Sequence, residues 1–257
     1  MALWLIGLGL HDVRGMTVAG RDAARSCGKL YAEFYTAILS TPHAELEAFL
    51  GKAVEKLDRL GVEKGADRLL AEARTGDVGL LVAGDPMAAT THTDLLVRAR
   101  AAGVAVHVLH APSILSAAPG LLGLQHYKFG RTTTLVRPQG SWNPTSPFDA
   151  VAENHARGLH TLVLLDIQAD VGYFMRSDEG IRILLDLARR TGASWFNEAT
   201  QVGVVARAGS AEPGRWTGPA GALAKLDAGP PLHCIVVPGA LHDVEGEAWR
   251  LWAAPTA

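Results

Sequence analysis

The fifteen residues Val78–His92, VGLLVAGDPMAATTH, decide the fold class. Val78–Ala83 is a continuous apolar run of strand length, closed by Gly84-Asp85-Pro86. An alternating run would mark a strand with one wet face. A continuous one marks a strand covered on both faces, as in a parallel sheet flanked by helices. Thr91, with Asp94 three residues on, predicts a helix N-terminus; Leu95, Leu96 and Ala99 supply its apolar side and Gly103 its end. Val104–Leu109 is the next strand. Toward the N-terminus, Leu3–Leu8 and Lys29–Phe34 read as strands, and Thr17 opens a helix that stops at Gly28. The Glu/Lys-rich stretch Ala44–Thr75 carries helical patterning. This alternation of strand and helix predicts an open α/β domain over residues 1–111.

The pattern changes after Pro112. Strand segments Thr133–Val136, Thr161–Leu165, Val202–Arg207 and Ile235–Val237 lie further apart. Ser177, followed by Asp178 and Glu179, predicts a capped helix whose stripe is Ile181, Leu184, Leu185 and Ala188. The Gly/Pro-rich segments Gln139–Pro147 and Glu212–Gly221 read as loops, and Gly203 weakens a strand interior. Residues 112–257 are thus expected to form a second, mixed α/β domain.

Composition narrows the function. The chain has 257 residues, 24 Lys+Arg against 26 Asp+Glu, and is 48% hydrophobic. Disorder needs the opposite balance. Charge-driven nucleic-acid binding is disfavoured, because no cationic surplus is available to neutralise phosphates. No apolar stretch approaches the roughly 18 residues of a membrane span. The apolar N-terminus lacks the flanks of a signal peptide. Cys27 and Cys234 have no CxxC or metal-ligand spacing and read as buried free thiols. A reducing, cytoplasmic setting is the expectation.

Three loops follow strands, where parallel sheets bind ligands. Gly7-Leu8-Gly9-Leu10-His11-Asp12 permits a tight turn and a close ligand approach, but lacks the third glycine of a dinucleotide fingerprint. On its own it reads more readily as an ordinary strand-to-loop turn than as a ligand loop. In Gly84–His92, Asp85 can accept hydrogen bonds from a ligand, or bond only to backbone. In His110–Ile114, Ser113 can bond a ligand or cap a helix. His107 and His110 have HxxH spacing but point to opposite faces of a strand, so no metal site is expected. In the second half, His233 stands between Pro230-Pro231 and an apolar strand.

Taken together, nine segments in order resemble the diphthine synthase family, S-adenosylmethionine-dependent methyltransferases with the tetrapyrrole-methylase fold. They are LIGLGLHD (5–12), AEFYT (32–36), AGDPMAATTH (83–92), HAPSI (110–114), YKFGRTTT (127–134), SWNPTS (141–146), GLHTLVLLDI (158–167), ARAGS (206–210) and PPLHCIVVPGALH (230–242). The GDP-x-x-ATTH and HAPSI strings separate this family from porphyrin-methylating relatives, and HAPSI is similar to archaeal members. The resemblance implies a two-domain fold with the cofactor in a cleft between the domains. It implies S-adenosyl-L-methionine as donor, S-adenosyl-L-homocysteine as product, and no metal. It implies a protein acceptor, translation elongation factor 2, methylated on the amino group of a 3-amino-3-carboxypropyl histidine. It implies a homodimer, to which the segment around Trp249–Trp252 either contributes or merely packs on the sheet. By motif matching it implies that Leu10, Asp85, Ala88, Ser113, Ile114, Leu165, Ala208 and His233 line the cofactor site. Ala88 stands where many members carry a larger apolar residue.

Methyl transfer from a sulfonium requires alignment above all, so catalysis is expected from proximity and orientation. His92 and His11 are the candidate proton acceptors, and Tyr127, Lys128 and Arg131 the expected docking surface for the factor. Two alternatives share part of this reading: a methyltransferase acting on a tetrapyrrole or another small molecule, and a non-catalytic cofactor-binding module.

Overall fold

The structure is a computed structural model that describes residues 1–34, 37–58, 61 and 66–254. Tyr35 and Thr36 of the AEFYT segment lie outside the described residues. The chain divides into two compact units, Met1–Ile114 with Gln168–Val171, and Leu115–Ile167 with Gly172–Ala257.

The N-terminal unit is built on β1 (Ala2–Gly7), β2 (Lys29–Glu33), β3 (Val54–Leu57), β4 (Val78–Val82) and β5 (Ala105–Leu109), in the order β3-β2-β4-β1-β5. Every pairing is parallel. The strands are covered on both faces, which is why β4 is buried at each of its positions. Leu3, Leu5, Leu80 and Val82 pack with the helix Ala66–Ala73 and with Leu95 and Ala99 of the helix Thr93–Ala101. Ile6, Leu30 and Leu81 pack on the other face with Ala24 of the helix Val18–Ser26 and Leu46 of the helix His43–Leu50.

Two expectations change here. Ala44–Thr75 is not wholly helical, because Val54–Leu57 forms the edge strand β3. Only Val54 of that strand is buried while Glu55 and Lys56 are exposed, so charge on an edge strand masked the strand signal. The helix after the β4 loop starts at Thr93 with His92 as its cap residue, and Thr91 gives no side-chain cap. Thr17 does cap its helix, accepting from Gly20 N at 3.0 Å.

The C-terminal unit carries a mixed sheet of β6 (Thr133–Leu135), β7 (Thr161–Leu165), β10 (Gln201–Ala206), β11 (Gly214–Pro219) and β12 (His233–Val237), in the order β11-β10-β12-β7-β6. A two-stranded hairpin, β8 (Ile167–Gln168) and β9 (Tyr173–Phe174), follows β7. Only the β6–β7 pair is parallel. Segment Glu212–Gly221, expected to be a loop, contains β11. Its glycines and terminal proline are tolerated because it is an edge strand of the sheet, with β10 as its neighbouring strand. Gly203 in β10 makes room for a ring: a Cβ there would lie 2.8 Å from Trp249 of the helix Asp243–Leu251. Trp249 therefore packs on the sheet of its own unit. Cys27 and Cys234 are free and buried, and burial pushes the Cys234 thiol up to about 12. Among the described residues no helix is long and apolar enough to cross a membrane.

Candidate cofactor site

Three loops of the N-terminal unit lie together at the carboxyl ends of β1, β4 and β5. Gly9 and Gly84 exchange backbone hydrogen bonds, Gly84 N to Gly9 O at 2.8 Å and Gly9 N to Gly84 O at 3.1 Å. Both residues have left-handed φ, +73° and +76°, which is why glycine stands at each. Gly7 is required by packing. A Cβ there would sit 2.6 Å from Ala111 Cβ and 2.8 Å from Gly84 O. Gly84 has nothing within 4 Å of where a Cβ would project, so that side of the turn is open.

Asp85 ties these loops together. Its Oδ1 accepts from Met87 N at 2.9 Å. Its Oδ2 accepts from His110 Nδ1 at 2.8 Å and from Ala111 N at 3.2 Å. A carboxylate has about four acceptor positions, so one remains on Oδ1. Ala88 N closes the turn on Asp85 O at 3.2 Å. Leu10 and Ala88 are half-buried, as are Ser113 and Ile114. Ser113 immediately precedes the helix Ile114–Leu122. Asp12, the last residue of the glycine loop, faces Arg14 instead of the strand ends. Its Oδ2 lies 2.6 Å from Arg14 Nη2, and those bonds hold its carboxyl below the ordinary carboxylate range.

The two histidines named as proton acceptors differ sharply. His11, half-buried with φ +66°, lies on the loop after β1. His92 is 1% exposed and its Nδ1–H donates to Pro86 O at 2.8 Å. It therefore stands behind the loop, with Nδ1 committed to the Pro86 carbonyl.

In the C-terminal unit, Leu165, Ala208 and His233 gather at one end of the sheet. The β7–β12 ladder ends at the pair Leu164–Cys234, which brings Leu165 beside His233, and Ala206 pairs with His233 directly. Arg207 and Gly209 take left-handed φ, +52° and +88°, turning the chain sharply around Ala208. The Ser210 hydroxyl in this turn is buried and has no hydrogen-bond partner among the described residues.

The sequence reading missed what His233 does with its side chain. Nε2–H donates to Pro230 O at 3.0 Å, and Nδ1 accepts from Ser177 N at 3.1 Å. Ser177 is thus the first helical residue, and the imidazole, not a serine hydroxyl, satisfies the N-terminus of the helix Ser177–Thr191. Burial pushes the imidazole pKa down, consistent with a neutral ring that donates from one nitrogen and accepts on the other. With both nitrogens committed, His233 can offer a ligand only its ring face and backbone.

A second correction concerns Lys128. It is half-buried, and its ammonium donates to Ala240 O at 2.6 Å and to the buried Glu245 carboxylate, so its charge is already paired within the unit. Tyr127, 69% exposed, and Arg131, also exposed, remain on the surface.

Within the N-terminal unit, Asp85 keeps an acceptor position beside the strand-end loops, and Leu10 and Ile114 are half-buried apolar side chains. Within the C-terminal unit, Ser210 keeps an unused hydroxyl. Comparison with known proteins identifies the family. Residues 2–224 match the family model of Tetrapyrrole (Corrin/Porphyrin) Methylases. A diphthine synthase of Methanocaldococcus jannaschii is 46% identical over 251 residues, covering 96% of this chain and 97% of that protein. One from Methanococcus maripaludis strain C5 is 45% identical over 249 residues, with the same coverage. A crystal structure of diphthine synthase superposes with a TM-score of 0.90 at 33% identity, covering 98% of this chain and 96% of the other. The parallel sheet, its strand-end loops and these relatives together place the chain in the diphthine synthase family of tetrapyrrole methylases.

Proposed function

We propose that this protein transfers methyl groups from S-adenosyl-L-methionine to the amino group of a 3-amino-3-carboxypropyl-modified histidine of translation elongation factor 2, three times in succession, in the cytoplasm and as a homodimer. Bound donor supplies an electrophilic methyl on a sulfonium: as the amine nitrogen bonds to the methyl carbon, the sulfur–carbon bond breaks and S-adenosyl-L-homocysteine is left. The residues we assign to cofactor contact are Leu10, Asp85, Ala88, Ser113 and Ile114 of the N-terminal unit and Leu165, Ala208 and His233 of the C-terminal unit. Asp85 offers its remaining acceptor position to a donor group, while His233 acts through backbone and ring face because its nitrogens are committed. Leu10, Ile114 and Leu165 exclude water from the apolar part of the ligand. The chain's contribution to rate is alignment, and the amine proton passes to solvent or to His11.

The observation that carries this reading is the convergence of Gly7, Gly84 and Ala111 around Asp85 at the ends of three parallel strands. Calorimetric titration with S-adenosyl-L-homocysteine tests it. Asp85→Ala should weaken binding at least about tenfold, the worth of one charged hydrogen bond; unchanged affinity would reject the assignment. Mass spectrometry of modified but unmethylated elongation factor 2, incubated with donor, counts the methyls. Transfer to a tetrapyrrole and not to the factor would favour the small-molecule alternative. For docking, Arg131→Glu is the informative variant, with unchanged retention of the factor counting against the surface.

A further inference from the structure

The AEFYT and ATTH segments each contribute a buried ionisable side chain that the cofactor assignment leaves unused. Glu33 ends β2, is 0% exposed, and lies in register with Val82 at the end of β4. His92 closes the loop that leaves β4. One ring nitrogen donates to Pro86 O, six residues back; the other, Nε2, is buried, has no hydrogen-bond partner among the described residues, and faces Glu33 Oε1 at 4.0 Å. The ring thus bridges from the end of β2 to the middle of the Gly84–Thr91 loop.

That loop needs an external hold. Ala89 within it adopts φ +53°, a left-handed conformation that a non-glycine residue disfavours. A buried acid–imidazole pair is a poor device for stability, since two apolar side chains of similar volume serve as well. It is a good device for fixing a geometry. At 4.0 Å the carboxyl is beyond hydrogen-bond distance, so it acts as a polar wall that keeps the ring turned with Nδ1–H toward Pro86 O.

We propose that Glu33 and His92 are positioning residues for cofactor binding: Glu33 orients the imidazole, the imidazole holds the Pro86 carbonyl, and the loop so held presents Asp85 and Ala88. This rests on the assignment of that loop to the cofactor. Neither residue touches the reacting atoms, so the pair acts on cofactor affinity, not on the chemical step.

The test compares two amides at position 92 in the full-length protein. Asparagine places its amide nitrogen where Nδ1 lies and can keep the bond to Pro86. Glutamine reaches the place of Nε2 and cannot. Titration with S-adenosyl-L-homocysteine should find His92→Asn within about threefold of wild type and His92→Gln weakened about tenfold, the worth of one buried hydrogen bond. Melting temperatures of the unliganded variants should stay within a few degrees of each other, and turnover at saturating donor should be retained with a raised KM for donor. Glu33→Gln, which keeps the size and polarity of the side chain opposite Nε2, should resemble His92→Asn, and Glu33→Leu should resemble His92→Gln. Equal affinity in His92→Gln and wild type would overturn the proposal, as would equal losses in His92→Asn and His92→Gln. If Asp85→Ala also binds like wild type, the cofactor assignment of the loop fails and the proposal falls with it; if Asp85→Ala weakens binding and His92→Gln does not, only the proposal fails.

Discussion

Replacing Glu245 by glutamine should cost the C-terminal unit about 3 kcal/mol at neutral pH and flatten its acid response. Glu245 is fully buried at the start of the helix Asp243–Leu251. Its Oε1 accepts from Gln125 N at 2.9 Å and His160 Nε2 at 3.1 Å; its Oε2 accepts from Lys128 and from His242 N at 3.2 Å. Burial pushes its carboxyl up, but these donors outweigh burial, with Lys128 foremost, and hold it at about 2 against an ordinary 4.5. Each tenfold difference in proton affinity between folded and unfolded chains is worth about 1.4 kcal/mol, giving about 3 kcal/mol. The sign follows from a depressed acid: this stability is complete above about pH 4.5 and is lost as pH falls toward 2. Such a loss is a large part of an ordinary domain's stability. Urea unfolding followed by tryptophan fluorescence, at pH values from 7 to 3, reads it. Wild type should lose stability below about pH 4.5 more steeply than Glu245→Gln. An equal slope in both proteins, or a cost under about 1 kcal/mol at pH 7, would refute the reasoning. The same geometry makes Lys128→Glu a folding variant, since it would set a second carboxylate against a buried one.

Three further outcomes are expected. Gly7→Ala, which would bring a Cβ within 2.6 Å of Ala111 Cβ, should lower stability by about 1–3 kcal/mol in thermal melts and weaken S-adenosyl-L-homocysteine binding, because the strand-end loops must part. Gly203→Ala, 2.8 Å from the Trp249 ring, should lose a similar amount while cofactor affinity measured by calorimetry stays at the wild-type value. His233→Ala removes the acceptor for Ser177 N and should cost about 1 kcal/mol as a lost helix cap. Because burial lowers the His233 pKa, the neutral ring's contribution is present above about pH 6.5 and declines as pH falls below it, which pH-dependent melts of wild type and variant will show.

Sequence pattern exposed the fold unevenly, for physical reasons that individual residues make plain. β4 was legible because all its positions are buried, leaving a run that only a doubly covered strand explains. β3 was hidden because Glu55, Lys56 and Leu57 sit on an edge where charge is tolerated. β11 was hidden because an edge strand accepts Gly214, Gly218 and Pro219. At the candidate site, strand-end position singled out Asp85, and family motifs suggested the rest. The partners of those side chains were invisible. Nothing in the sequence ties Asp85 to His110 Nδ1, 25 residues on, or His233 to Ser177, 56 residues back. Lys128 was misread for the same reason: its carboxylate partner is 117 residues away.

Those hidden partners bear on how such a site selects its ligand. Asp85 has spent three acceptor positions on the protein, His233 both nitrogens, and His92 the nitrogen that could have faced the loop. A polar side chain already engaged in this way meets an alternative ligand only by breaking these bonds, at a cost of about 1 kcal/mol each. On the proposed cofactor assignment, discrimination by the N-terminal unit rests on a few fixed positions: one lone pair on Asp85, the backbone exposed by Gly84, and the apolar surfaces of Leu10 and Ile114. A donor lacking the group that meets Asp85 would bury that lone pair unpaired, whereas a change in the apolar body would lose only contact area. Polar changes to the donor should therefore be rejected more strongly than apolar changes of similar size, the asymmetry that separates a hydrogen-bonding site from a greasy pocket.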